Sequence, residues 1–172
     1  MARRNPIPVR WLMTDERMGD ALWPALRRLP PGSGVIFRHY ATPAGERRAV
    51  VRRVLRLARA RGLVVVVAGG SSIPADGIHG RAGTRGIRTW PAHSRVEALA
   101  GVRAGADALF VSPVYATRSH DGAVGLGAAR AMRIGRGLGM PVIALGGMDE
   151  SRWQRMRRFG FYGWAAIDAW LR

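Results

Sequence analysis

The sequence predicts a compressed (β/α)8 barrel of the TIM type, an α/β fold in which one domain takes up residues 1–172. Three observations point there. Eight short β-type runs recur along the chain. Several are continuously apolar, as 63–68 is, which is how a strand reads when both of its faces are buried in a parallel sheet. Amphipathic helices separate many of the runs, and strict alternation of strand and helix implies parallel pairing. Eight strands in so short a chain favour closure into a barrel over an open doubly wound sheet.

The expected strands are 10–15, 35–40, 63–69, 77–80, 87–93, 108–114, 141–147 and 163–169. Among the helices, 44–61 is the clearest. It places Val51, Val54, Leu55 and Ala58 on one stripe, Arg52, Arg53, Arg56 and Arg59 elsewhere, and Gly62 as its stop. Segment 94–104 opens on Ser94 and Glu97 at capping-box spacing and closes at Gly105. Asp149 is an N-cap candidate for 149–159, and weaker helices are expected at 20–29 and 127–138. Segments 70–76 and 81–86 are too short and too rich in Gly, Ser and Pro for helices, and nothing after the eighth strand is long enough for one. Three outer helices are therefore expected to be missing. Strand surface left bare in this way predicts association as a homodimer, with Trp164, Trp170 and Leu171 as candidates to close the gap.

Composition bounds the function. Hydrophobic residues make up 48% of the chain and charged residues 23%, the balance of an ordinary globular protein. No apolar run approaches the ~18 residues a membrane span needs. Pro6, Pro8 and Arg10 interrupt any secretory apolar segment near the start, and there is no Cys, so a cytoplasmic location is expected. The net charge of +17 invites a nucleic-acid reading. All 28 basic residues are Arg, however, and they are spread over the whole chain, in pairs on different helices such as Arg27 and Arg28, Arg47 and Arg48, and Arg157 and Arg158. That distribution reads as solvated surface rather than one patch, so a small phosphorylated ligand is the expected partner, with no membrane and no nucleic acid.

Barrel sites are built at the C-terminal strand ends. All four His residues fall there: His39, His79 and His93 at the ends of strands two, four and five, and His120 in the loop after strand six. No pair has the close spacing or carboxylate support of a metal site, so no metal ligands are assigned. Gly146 and Gly147 follow an apolar strand and precede a helix, a junction where backbone N–H groups can approach a phosphate.

The stretch Gly105-Ala106-Asp107-Ala108-Leu109-Phe110-Val111-Ser112-Pro113-Val114-Tyr115-Ala116-Thr117-Arg118-Ser119-His120, followed by Gly125-Leu126-Gly127 and by Pro141-Val142-Ile143-Ala144-Leu145-Gly146-Gly147-Met148, resembles the thiamine phosphate synthase family and its TenI-like thiazole tautomerase relatives. Weaker likeness extends to Leu12-Met13-Thr14-Asp15, Val35-Ile36-Phe37-Arg38, Gly77-Ile78-His79-Gly80 and Ala92-His93-Ser94. The resemblance implies thiamine biosynthesis, in which an aminopyrimidine pyrophosphate loses pyrophosphate and a thiazole phosphate traps the resulting cation. It implies catalytic roles for Arg38 and His120, both toward pyrophosphate. Phosphate contacts fall to Thr117, Ser119, Gly146 and Gly147, and a substrate pocket to His79, His93, Ser112 and Asp168. Mg2+ is the implied cofactor.

The chain departs from the family at several of these places. Tyr40 and His120 stand for two Lys residues, and Ala68-Gly69 for the Asn-Asp pair that helps hold magnesium. Arg81, Ala82 and Gly83 occupy the place of a second magnesium carboxylate. Asp168 aligns with a Ser beside the phosphate, and Pro113 with the tautomerase's His. The alternative to a synthase is therefore a non-catalytic relative that binds a phosphorylated ligand.

Overall fold

Strands with two apolar faces need a partner layer on each, and a closed barrel supplies both, side chains within and helices outside. The structure, a computed structural model, describes residues 6–69, 73–81, 83, 86–116 and 124–172. Eight parallel strands close in chain order: β1 (Arg10–Met13), β2 (Gly34–Phe37), β3 (Val64–Ala68), β4 (Gly77–His79), β5 (Ile87–Ala92), β6 (Ala108–Val111), β7 (Val142–Leu145) and β8 (Gly163–Ala166). The ring shuts where Arg10 pairs with Trp164 and Leu12 with Ala166. All eight expected strands are present, each shorter than its apolar run because burial continues past the ladder. Val114, for example, is fully buried beyond β6 and donates its N–H to Leu145 O at 2.8 Å.

Among the described residues five α-helices flank the barrel: α1 (Leu22–Arg28), α2 (Ala44–Ala60), α3 (Arg95–Arg103), α4 (Ala128–Gly135) and α5 (Glu150–Met156). Ser94 Oγ accepts from Glu97 N at 3.2 Å and Asp149 Oδ1 from Arg152 N at 2.8 Å, so both expected caps form. The carboxylate of Glu97 turns back to the N–H of His93 rather than to that of Ser94. Among the described residues no helix follows β3 or β4, and β8 is followed only by the 3-10 turn Asp168–Trp170. Trp170 stacks on Trp164 at 5.0 Å and donates its indole N–H to Trp11 O at 3.0 Å, so these aromatic rings cover the seam where a helix is lacking.

Period-two alternation divides the core. Trp11, Met13, Ile36, Val66, Ala68, Phe110, Ile143 and Ala165 fill the barrel, while Leu12, Val35, Phe37, Val65, Val67, Leu109 and Trp164 face the outer layer. Trp11 blocks the bottom. Its indole meets the backbone of Gly34 so closely that a Cβ there would lie 2.1 Å from the ring. Overpacking of this kind typically costs about 1–3 kcal/mol. Gly34→Ala should therefore lower the urea midpoint by at least that equivalent, whereas Gly45→Ala, on the exposed start of α2, should leave the midpoint unchanged or raise it slightly.

Candidate functional site

A cavity of about 380 Å3 opens at the C-terminal mouth of the barrel. Phe110 forms part of its lining, and Arg38, His79, His93 and Ser112 converge on it from four strand ends. The structure thus brings together four of the residues singled out in the sequence. Gly147 and Asp168 lie elsewhere, on a larger concavity of about 1140 Å3 that runs along the outside of β8 and β1 past Trp164 and Arg10. Thr117, Ser119 and His120 lie outside the described residues. Tyr40 and Arg81 also line the mouth. In the sequence both stood out only as departures from the family, Tyr40 in the place of a Lys and Arg81 in that of a magnesium carboxylate.

Arg38 is held in place by its own neighbours. Its Nε donates to Thr14 O at 3.0 Å and its Nη2 to Asp15 Oδ2 at 3.2 Å, which leaves Nη1 without a partner among the described residues. Asp15 also receives Arg17 Nε at 2.8 Å, and this hydrogen bond is the main reason its carboxyl is drawn down to about 2. One carboxylate is thus shared by two guanidinium groups, which fixes the orientation of Arg38.

Below Arg38, His79 pairs through Nδ1 with Thr89 Oγ1 at 2.8 Å and sets its ring edge against Phe110 at 5.6 Å. Burial, reinforced by the charge of Arg38, pushes its pKa down to about 4, so it enters the cavity as a neutral imidazole. His93 stands at the rim, its Nδ1 2.8 Å from Glu97 Oε2.

His39 does not join the cavity. It adopts φ 40° just beyond β2, stacks on Phe37 at 4.5 Å, and buries Nε2 without a partner; burial lowers its pKa. A side chain in that backbone region costs on the order of 1–3 kcal/mol. Arg47 is what holds it, donating to the carbonyls of Arg38, His39 and Ala68 at 3.1, 3.0 and 2.6 Å. Arg47 is therefore a clamp on the ends of β2 and β3 rather than the solvated surface charge that its place on an amphipathic helix suggested.

Gly146 and Gly147 have φ values of 96° and 58°, open only to glycine at low cost. Added Cβ atoms would meet Pro113 Cα at 2.9 Å and Ala116 O at 2.7 Å, so the pair seats the loop after β6. Tyr115 N donates to Gly146 O at 3.1 Å, and the Arg152 guanidinium, 4.7 Å from the Tyr115 ring, donates to Gly147 O. The N–H groups of Gly146, Gly147 and Met148 find no acceptor among the described residues.

The family model described as thiamine monophosphate synthase matches residues 25–170. The chain is a member of the thiamine monophosphate synthase family. It is 32% identical over 142 residues to a thiamine-phosphate synthase of Geobacillus thermodenitrificans, covering 72% of this chain and 64% of that one. A thiamine-phosphate synthase of Chloroflexus aurantiacus is 37% identical over 81 residues, 45% of this chain and 37% of its own. The chain thus spans less than two thirds of the length of these relatives. A thiamine phosphate pyrophosphorylase from Pyrococcus furiosus superposes with a TM-score of 0.79 at 22% identity, over 96% of this chain and 88% of that one, a likeness of fold.

Magnesium, which family membership implies, does not fit the residues at this mouth. No group of three or more His, Cys, Asp or Glu is placed to hold a metal among the described residues, and the cavity lining there contains no carboxylate. Gly69 has φ 72°, and a Cβ on it would lie 3.1 Å from the ring of Tyr40. Arg81 brings a cation where a carboxylate would be needed.

The depressed His79 makes a prediction about stability. Its folded pKa lies below the ordinary 6.5, so the unfolded chain binds the proton first as the pH falls. Its contribution is complete above pH 6.5 and drains away toward pH 4. Unfolding free energy should drop by roughly 2–3 kcal/mol more between pH 7 and pH 4.5 in the wild type than in His79→Gln. Equal losses in the two proteins, measured by urea titration, would contradict the neutral buried imidazole.

Proposed function

We propose that this protein is a thiamine phosphate synthase-like transferase of thiamine biosynthesis, joining an aminopyrimidine pyrophosphate to a thiazole phosphate with release of pyrophosphate. The observation that carries this reading is the mouth cavity, where Arg38 faces His79 and Ser112 in a chain matched by the family model over residues 25–170. In the proposed reaction the bond between the pyrimidine's methylene carbon and the pyrophosphate oxygen breaks, and both electrons leave with the oxygen. The thiazole nitrogen then donates its pair to the methylene carbon.

Arg38 stabilises the leaving group through Nη1, as a fixed guanidinium aimed at developing charge. His79, kept neutral, adds no charge that would oppose the pyrimidine cation. His120 is assigned to the pyrophosphate as a second, titrating cation, and Thr117 and Ser119 to phosphate oxygens. The unpaired N–H groups at Gly146 and Gly147 support their assignment to the thiazole phosphate. The reading also places the enzyme in the cytoplasm.

One observation favours the alternative, a non-catalytic binder of a phosphorylated ligand. Asp168 lines the same concavity as Gly147, where a carboxylate opposes a dianion. The two readings separate in one assay. Purified protein is mixed with both substrates, with magnesium or with chelator, and thiamine phosphate is followed by mass spectrometry from pH 6 to pH 8. The synthase reading expects product at least about 10²-fold more slowly than from the Geobacillus relative run in parallel, faster at pH 6 than at pH 8, and lost in Arg38→Met. Absence of product at every pH, with thiazole phosphate still bound, selects the binder.

We further propose a homodimer in which strand surface left without a covering helix is buried between the two copies. Light scattering should give twice the mass of the chain, and a monomer at high concentration would exclude it.

A further inference from the structure

We propose that the mouth cavity binds a diphosphate group directly through guanidinium and neutral donors, with no metal ion as intermediary. The inference rests on the cavity assigned above and concerns how its anion is held. Polyphosphates are usually bound either through a divalent cation on carboxylates or by fixed cations and N–H or O–H donors. This mouth contains only the second set. Among the described residues its lining carries two guanidinium groups, Arg38 and Arg81, the Ser112 hydroxyl and the Tyr40 phenol, with two imidazoles and no carboxylate.

The acids close by are spoken for. Glu97 Oε2 accepts from His93 N at 2.7 Å and lies 2.8 Å from its Nδ1, and Glu16 Oε1 accepts from Ala41 N at 2.7 Å. Asp15 bonds Arg17 at 2.8 and 3.1 Å and Arg38 at 3.2 Å, so it orients Arg38 and leaves the second terminal nitrogen of that guanidinium to a ligand. On the opposite wall Gly69 has a left-handed backbone, and a Cβ there would press on the Tyr40 ring at 3.1 Å, so this wall offers a phenol and a glycine in place of a carboxylate. Arg81 is exposed at the rim, a placement suited to closing over an anion that has entered. A cavity of about 380 Å3 lies within the ~300–1,000 Å3 range of small-molecule sites and leaves room beside the diphosphate for a ring.

Titration calorimetry of the full chain with inorganic pyrophosphate tests this. In EDTA we expect one site per chain. Saturating magnesium should leave the affinity unchanged or weaken it, because the metal partly neutralises the ligand. Arg38→Ala and Arg81→Ala should each weaken binding about tenfold or more, the fold-change of one charge-assisted hydrogen bond. Arg59→Ala, an exposed change on α2, should have no effect and so separates the site from the general charge of the surface. Because Arg81 is exposed, its variant keeps the fold even if Arg38→Ala lowers Tm.

Binding seen only with magnesium, no binding at all in EDTA, or binding indifferent to Arg38 and Arg81 would each overturn the proposal. Magnesium-dependent binding would leave the synthase reading standing. Metal-free binding with no turnover would remove the synthase reading and keep this one.

Discussion

The seam between β8 and β1 is the contact on which the rest of this barrel depends. A parallel ring must be closed by its first and last strands, and among the described residues the last of them is followed only by a 3-10 turn. Trp164 N donates to Val9 O at 2.8 Å, Arg10 holds Glu150 of α5 at 2.7 and 2.8 Å, and Trp170 lies on Trp164 while bonding Trp11 O. A few aromatic and charged side chains thus do what a helix does in a fuller barrel. Trp11 is anchored from both sides of this seam, and its ring against Gly34 sets the floor above which the interior layers stack. Phe110 sets its ring against Trp11, and His79 against Phe110, in turn.

Several of the eight strands were legible because burial on two faces leaves a continuous apolar run, most clearly in β3. Their ends were not, since residues such as Val114 and Met148 stay buried after pairing stops, and hydrophobicity does not distinguish a ladder from a packed loop. Helix caps could be read from Ser94 and Asp149 because capping is local chemistry. Arg47 could not, because its role depends on three carbonyls brought together only when β2 and β3 pair.

The site was legible unevenly for the same reason. His79 and His93 were found from their strand-end positions, and Arg38 and Ser112 through family likeness. The split of Gly147 and Asp168 from the other four depends on which side of β7 and β8 each residue faces. Strand ends give that information poorly once the backbone leaves the pleat, as the left-handed turns at Gly146 and Gly147 do. His39, read with the other three His residues as a mouth group, is instead turned outward onto Phe37 by a backbone angle that no local pattern announced.

The packing of Gly146 and Gly147 against residues 113–116 has a mechanical meaning. Val114 and Tyr115 donate to Leu145 and Gly146, and the glycines leave no gap between the two segments. The root of the loop after β6 and the turn after β7 therefore move as one rigid bracket rather than as two hinges. A force applied at either end is delivered to the other with little loss, and neither segment can fluctuate alone. A larger residue at position 146 or 147 would act as a wedge, prising the bracket open and uncoupling two stretches of chain about 30 residues apart in sequence.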